Sequence, residues 1–214
     1  MNARRWICRF GLMLVVMTNA FADASTEKVR NDKVVVMQVS LAPGEGWALP
    51  RDRAGVVVYL DDGSVASTMA EESSAMATQP VKRGDVVFRS TAGGLLKNDG
   101  LADLRFVYVE FLGAGRSETW GSAGLAPGYK VLVENQYVRV YDIRFAAGTS
   151  EPKHTHHDRV VVCLSGAELE HELPDGRRET STLKTGEIAW RRGGTHIGHN
   201  IGKTDLWVIA IEPK

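Results

Sequence analysis

The sequence predicts an all-β chain built as two tandem copies of one barrel or sandwich, and three observations carry that prediction. The chain repeats itself, each copy is a series of short runs rich in β-branched and aromatic residues, and glycine-, proline- and aspartate-bearing turns separate the runs. Adding 104 to residues 31 to 60 gives a gap-free match: Asn31 meets Asn135, Val34 meets Val138, Gly44 meets Gly148, and Val56-Val57-Val58 meets Val160-Val161-Val162. Further on the offset becomes 102, so that Gly84 meets Gly186, Arg89 meets Arg191, Asn98 meets Asn200, and Glu110 meets Glu212. A single slip of two residues, placed in a loop, is what a duplicated domain shows. Many short strands joined by glycine turns make a barrel or a sandwich.

The first 22 residues read as a leader. Arg4, Arg5 and Arg9 form a basic head, Gly11 to Thr18 is an apolar run, and Ala20-Phe21-Ala22 supplies the small-x-small site that places cleavage after Ala22. Ala22-Asp23-Ala24 is a second choice of site, and Arg4-Arg5 leaves twin-arginine export open beside the general secretory route. The apolar run is shorter than the roughly 20 residues that span a bilayer, so the chain is expected to be periplasmic or secreted and free of membrane after cleavage, with an uncleaved anchor as the alternative. Cys8 leaves with the leader. Cys163 is then alone, forms no internal disulfide, and reads as a small buried hydrophobe inside Val160 to Leu164. The 26 basic and 26 acidic side chains balance. Removing the three leader arginines leaves 23 against 26, a net charge of about −3. No basic run or basic-aromatic interleaving is present, which argues against nucleic acid as a partner.

The first copy, 27–112, has strand-like runs at Val34 to Leu41, Gly55 to Leu60, Val86 to Arg89 and Leu104 to Phe111. Asp61-Asp62-Gly63 marks a turn, and Ala66 to Ala77 reads either as a short helix or as strand and loop. Residues 113–130, rich in glycine, serine and alanine, read as a linker. The second copy, 131–214, has runs at Val138 to Phe145, Val160 to Leu164, Ile188 to Arg191 and Leu206 to Glu212. Its Pro174-Asp175-Gly176 is a turn in which proline fixes φ and glycine relieves the last position. Trp190 and Trp207 sit on strand positions and are expected in the core.

The second copy carries Gly148-x5-His154-x-His156, then a hydrophobic strand ending at Gly166, and later Gly193-x-x-His196-x-x-x-Asn200. These stretches resemble the two sequence motifs of the cupin superfamily, and through the repeat the whole chain resembles a bicupin, two double-stranded β-helix (jelly-roll) barrels in tandem. Residues two apart on a strand share a face, so His154 and His156 can point together into a barrel, where His196 joins them. Three neutral imidazoles suit Zn, Fe, Cu or Ni and leave a position for water or substrate; the resemblance implies one divalent transition metal, Fe, Zn, Mn or Ni. The family's sites add a glutamate shortly after the paired histidines, where this chain has Asp158, Arg159 and Val160. The expected centre is therefore three-histidine, similar to that of the thiol dioxygenase branch. In the first copy Pro50, Asp52 and Gly94 stand opposite the three histidines, so that half is expected to be metal-free.

Around the centre, His171 alternates with Leu169 and Leu173. It is a candidate catalytic base if that face points inward and a hydrogen-bonded core histidine if it does not. His157 and His199 are on the opposite parity from the ligands. Asp158, Arg159, Arg191 and Asn200 are candidate supporting or ligand-binding residues, with Lys153 and Arg192 close by. A metal held by three neutral ligands keeps its full charge, and the nearby cations add to it, so the expected partner is a small anionic molecule, a carboxylate. Three accounts follow: a metal-dependent dioxygenase or isomerase, a non-catalytic periplasmic module binding a small ligand or metal, and a storage-like or structural bicupin. The resemblance adds a homodimer paired through sheet edges.

Overall fold

In the computed structural model, which describes residues 25–69, 76–90 and 93–214, every regular element is a strand. The leader reading falls outside these residues. The first half runs β1 (Ser25–Arg30), β2 (Val34–Leu41), β3 (Gly46–Leu49), β4 (Gly55–Tyr59), β5 (Gly63–Met69), β6 (Ala77–Val81), β7 (Val86–Arg89), β8 (Gly94–Asn98) and β9 (Leu104–Phe111). The second runs β10 (Lys130–Glu134), β11 (Val138–Phe145), β12 (Ser150–His156), β13 (Arg159–Ser165), β14 (Ala167–Glu172), β15 (Arg178–Leu183), β16 (Ile188–Arg191), β17 (Gly194–Asn200) and β18 (Leu206–Pro213). Where Ala66 to Ala77 left helix open, Ala66 to Met69 belong to β5 and Ala77 opens β6; 70–75 lie outside the described residues.

The halves are wired identically. A five-stranded sheet in the order β1-β2-β9-β4-β7 faces a four-stranded sheet β3-β8-β5-β6, and the second half repeats this as β10-β11-β18-β13-β16 and β12-β17-β14-β15. The central pairs run uninterrupted, Val34↔Phe111 to Leu41↔Leu104 in one half and Val138↔Pro213 to Phe145↔Leu206 in the other. Two tandem jelly-roll barrels result.

The apolar runs have a physical reason. Alternate residues of a strand face opposite sides, and in the large sheets both sides are covered. Val56 and Val58, Val107 and Val109, Val160 and Val162, and Ile209 and Ile211 meet in one core between the halves. Val57 and Tyr59 turn into the first barrel, and Val161 and Cys163 into the second. Strands buried on both faces read as continuous hydrophobic stretches rather than as alternation. Cys163 is buried and free, and burial pushes its thiol up to about 11, which suits a packing role.

Trp190 and Trp207 depart from the expected core placement. Both are only partly buried at the margin of the core between the halves. The Arg144 guanidinium lies 3.6 Å from the Trp207 ring centroid and that of Arg83 5.1 Å. Gly84, at φ +88°, leaves room for this indole, since a Cβ there would come within 2.4 Å of it.

Residues 112–129 contain no strand but are packed against the second barrel rather than spanning open solvent. Leu125 and Tyr129 pack on its core, Ala126 is buried, and Gly124 O accepts a 2.7 Å hydrogen bond from Thr155 N on β12.

Candidate metal centre

β12 and β17 pair antiparallel with His154 directly opposite His196, and His156 follows two residues along on the same face. One ligand nitrogen from each of the three lies within 4.8 Å of the others. His154 and His156 are both 4% exposed and His196 is partly buried. The structure thus brings together the three histidines that the sequence motifs single out.

The hydrogen bonds behind these rings determine which nitrogen carries the proton. His154 Nδ1 lies 2.8 Å from Pro152 O, and a carbonyl only accepts, so Nδ1 is protonated and Nε2 presents a lone pair. His156 Nδ1 lies 2.8 Å from Tyr141 Oη, whose own proton is donated to Glu212 Oε1 at 2.9 Å. The tyrosine oxygen must then accept from Nδ1–H, and His156 Nε2 is bare as well. The two unprotonated Nε2 atoms face each other at 3.0 Å. Lone pairs at that distance repel unless a cation lies between them. Tetrahedral nitrogens about 2.0–2.1 Å from one zinc would stand roughly 3.3 Å apart. Outward N–H groups anchored on oxygen are the usual support of metal-bound imidazoles. The donor set fits a divalent transition metal.

Burial keeps all three rings neutral. It holds His154 and His156 below the ordinary histidine range, helped by the Arg159 charge, and lowers His196 to about 3 with help from His171 and His154. Behind His156, Glu212 and Arg139 form a fully buried ion pair on directly opposed residues of β18 and β11. Arg139 Nε donates to Glu212 Oε2 at 2.7 Å and Nη1 donates to Ala123 O at 2.9 Å, while Glu212 Oε1 also accepts from His157 N at 3.0 Å. Every charge in this network has partners, as a buried pair requires.

In front of the rings lies a cavity of about 230 Å³ inside the second barrel. Ile143, Phe145, Val161, Leu169, Leu206 and Val208 form its apolar walls, and Tyr129, Glu151, Arg159, His171 and Arg191 its polar positions. His171 does face inward, its ring 4.5 Å from that of His196, and burial with the Arg159 charge lowers its pKa. Arg159 Nη1 reaches the carbonyls of His157 and Arg192 only at 3.4 Å, and its Nε is buried with no hydrogen-bond partner. Arg191 pairs with Glu187 at the cavity rim.

Asp158 and Asn200 have other work. Asp158 Oδ1 accepts from Gly193 N at 2.7 Å and its other oxygen lies 3.8 Å from Lys33 Nζ of the first half, so it braces a turn and a contact between halves. Asn200 donates to Phe145 O and Thr204 O and accepts from Gly202 N, closing a corner of the barrel. His157 stacks on Trp120 with ring centroids 3.9 Å apart, and His199 Nδ1 meets Ser150 Oγ at 2.7 Å. Lys153 and Arg192 are exposed.

Residue reasoning missed Glu151, Tyr129, Tyr141, Arg139 and Glu212. The last two carried a signal, because Arg139 and Glu212 are charges with the inward parity of apolar strands. Tyr129 was hidden in the segment read as linker. Glu151 was hidden by a β-bulge: the pairing sum changes by one between Glu151↔Gly198 and His154↔His196, which turns an odd-numbered residue onto the face of the even-numbered histidines.

No protein-family model and no curated protein sequence matches the chain. Among solved structures, AerE from Microcystis aeruginosa aligns with a TM-score of 0.63 at 12% identity, covering 89% of this chain and 97% of its own. A cupin 2 conserved barrel domain protein from Leptotrichia buccalis gives 0.58 at 14%, covering 89% and 88%. Oxalate decarboxylase OxdC of Bacillus subtilis gives 0.56 at 12%, covering 88% and 74%. At these identities the likeness is one of fold, and the fold is that of tandem cupin barrels.

Proposed function

We propose that the chain is an exported, metal-dependent cupin-fold enzyme of dioxygenase or isomerase type that binds a small carboxylate at His154, His156 and His196, with the first barrel serving as a metal-free structural half. The observation that carries this reading is the pair of bare Nε2 atoms held 3.0 Å apart at the wall of a mostly apolar chamber. A bound divalent metal would supply Lewis-acid or redox chemistry there. The Mn(II) centres of the Bacillus subtilis oxalate decarboxylase belong to a protein of the same fold. The chain's own residues would do the rest. Arg159, with an unpartnered buried Nε, and Arg191 would attract and orient the anion. The six apolar wall residues would take its hydrocarbon part and exclude water. His171 would exchange a proton with the substrate.

A second reading, a non-catalytic binding module, draws support from the tyrosines. Burial and neighbouring acids push Tyr129 and Tyr141 far above neutrality, which leaves few groups able to transfer a proton. Assembly as a homodimer is proposed on the resemblance alone, and light scattering of the purified protein would decide it.

The deciding experiment is elemental analysis of untagged protein beside a His154→Ala, His156→Ala, His196→Ala variant. About one metal per chain, lost in the variant, is expected for a centre of this ligand count. No uptake after loading with iron, zinc, manganese or nickel would overturn the metal reading. Dioxygen uptake by iron-loaded protein over a panel of carboxylates, and product analysis for isomers, would then separate turnover from binding.

A further inference from the structure

We propose that Glu151 is a fourth protein ligand to the metal held by His154, His156 and His196, delivered from the opposite end of the strand to the place where the family pattern has its glutamate. The inference rests on the metal reading above and goes beyond it in assigning the ligand set.

Glu151 Oε2 lies 3.7 Å from His154 Nε2. That is too long for a hydrogen bond, so the carboxylate is not simply the partner of that imidazole. Ligand atoms sharing an ion at about 2.1 Å stand roughly 3.0–3.4 Å from one another in octahedral and tetrahedral geometry. On the His154 side, Glu151 is therefore within a few tenths of an ångström of ligand-to-ligand spacing.

Three features show that the carboxylate is placed there by construction. The bulge in β12 supplies the extra residue that turns Glu151 to the histidine face, whereas the matching β3–β8 pair of the first barrel runs from Gly46↔Lys97 to Leu49↔Gly94 without one. The residue opposite Glu151 is Gly198, and a Cβ at that position would lie 3.0 Å from Oε2, so the glycine makes room for the carboxylate. Tyr129 Oη donates to the same Oε2 at 2.7 Å, the kind of outer hydrogen bond that orients a ligating carboxylate. In the first barrel the repeat puts Trp47 and Leu96 at these positions, and both are packed in that barrel's core. Where the family's glutamate falls, Asp158 is bound to Gly193 N, Arg159 lines the cavity and Val160 packs in the core between the halves. The carboxylate returns from before the paired histidines.

The test is a Co(II) and Mn(II) titration of the full protein and of Glu151→Gln, followed by calorimetry, the Co(II) absorption spectrum and the Mn(II) electron paramagnetic resonance spectrum. Loss of a charged ligand is expected to weaken binding at least about tenfold and to alter both spectra, while the melting of the metal-free variant stays at the wild-type value. Affinity and spectra equal to wild type would overturn the assignment and leave the three-histidine centre standing. Failure of the wild-type protein to take up either metal would instead remove the metal reading on which the assignment depends. Should Glu151→Gln not fold, Glu151→Ala carries the same comparison.

Discussion

The two barrels share a wiring diagram and differ in what fills them. The second half places Glu151, Gly198, Val208 and Ala210 around its interior, whereas the first half has Trp47, Leu96, Phe106 and Tyr108 at the corresponding positions of the repeat. There the Trp47 ring packs edge-on against Phe106 at 5.7 Å and Tyr108 at 5.2 Å, closing the space with aromatic carbon. The strands differ as well. β12 is seven residues long and carries His154 and His156, whereas β3 is four residues long and ends at Leu49, before the positions that match them. A barrel this size is either packed or hollow, and a few changes of side-chain volume decide which. The first barrel's interior is packed with side chains, and the second's holds a chamber.

The largest effect should come from the group that the hollow barrel has and the filled one lacks. Arg139 lies opposite Glu212 with both side chains fully buried, whereas the first half has Val35 opposite Glu110, and Glu110 is served by a part-exposed Arg53 at 3.2 Å. Arg139→Met leaves a buried carboxylate without its counter-charge and should cost about 3–5 kcal/mol in chemical denaturation. Arg53→Met should cost under about 1 kcal/mol. Metal affinity should fall in the first variant and not in the second, because Glu212 fixes Tyr141 and hence the tautomer of His156. Equal costs for the two substitutions would mean that the buried network is not what holds the second barrel.

A swap of Phe106 and Val208 breaks the comparison from the other side. Phe106→Val hollows a packed interior and should cost about 2–3 kcal/mol. Val208→Phe adds a ring where a chamber of about 230 Å³ already exists, and should stay within about 1 kcal/mol of wild type while weakening carboxylate binding. Metal content should be unchanged, since Val208 is on β18 and the three histidines are on β12 and β17 of the other sheet. Denaturation and ligand titration of the two variants check this. If Val208→Phe were as damaging as Phe106→Val, the chamber would have no room to spare and the ligand-binding reading would lose its pocket.

The large sheets were legible from the sequence because burial on both faces forces unbroken runs such as Val160 to Leu164, and the repeat located their partners. Val34–Leu41, Val86–Arg89, Leu104–Phe111 and Ile188–Arg191 fall where those runs predict them. The small sheets were far less legible: β6 and β15 are almost wholly exposed, so solvent imposes no hydrophobic pattern on them. At the centre, histidines two apart on one strand were readable from parity alone. Glu151 was not, because a bulge reverses parity and leaves no mark in the residues around it. Arg139 and Glu212 were readable in principle as charges of inward parity, but only a register pairing them could show that each satisfies the other.

The smallest difference between the halves should lie at the feature they share. Asn98 donates to Leu41 O and Ala102 O and accepts from Gly100 N, and Asn200 makes the same three bonds to Phe145 O, Thr204 O and Gly202 N. Each asparagine also accepts, through its carbonyl, the N–H of a left-handed glycine, Gly44 or Gly148. The corner therefore belongs to the barrel and not to the metal centre, although Asn200 closes the second histidine motif in sequence. Asn98→Ala and Asn200→Ala should each cost about 1–3 kcal/mol by stranding the same backbone groups, and the two costs should agree within about 0.5 kcal/mol. Metal stoichiometry should be that of wild type in both. A selective loss of metal in Asn200→Ala at unchanged stability would place that residue in the site after all and make the corner a part of the chemistry.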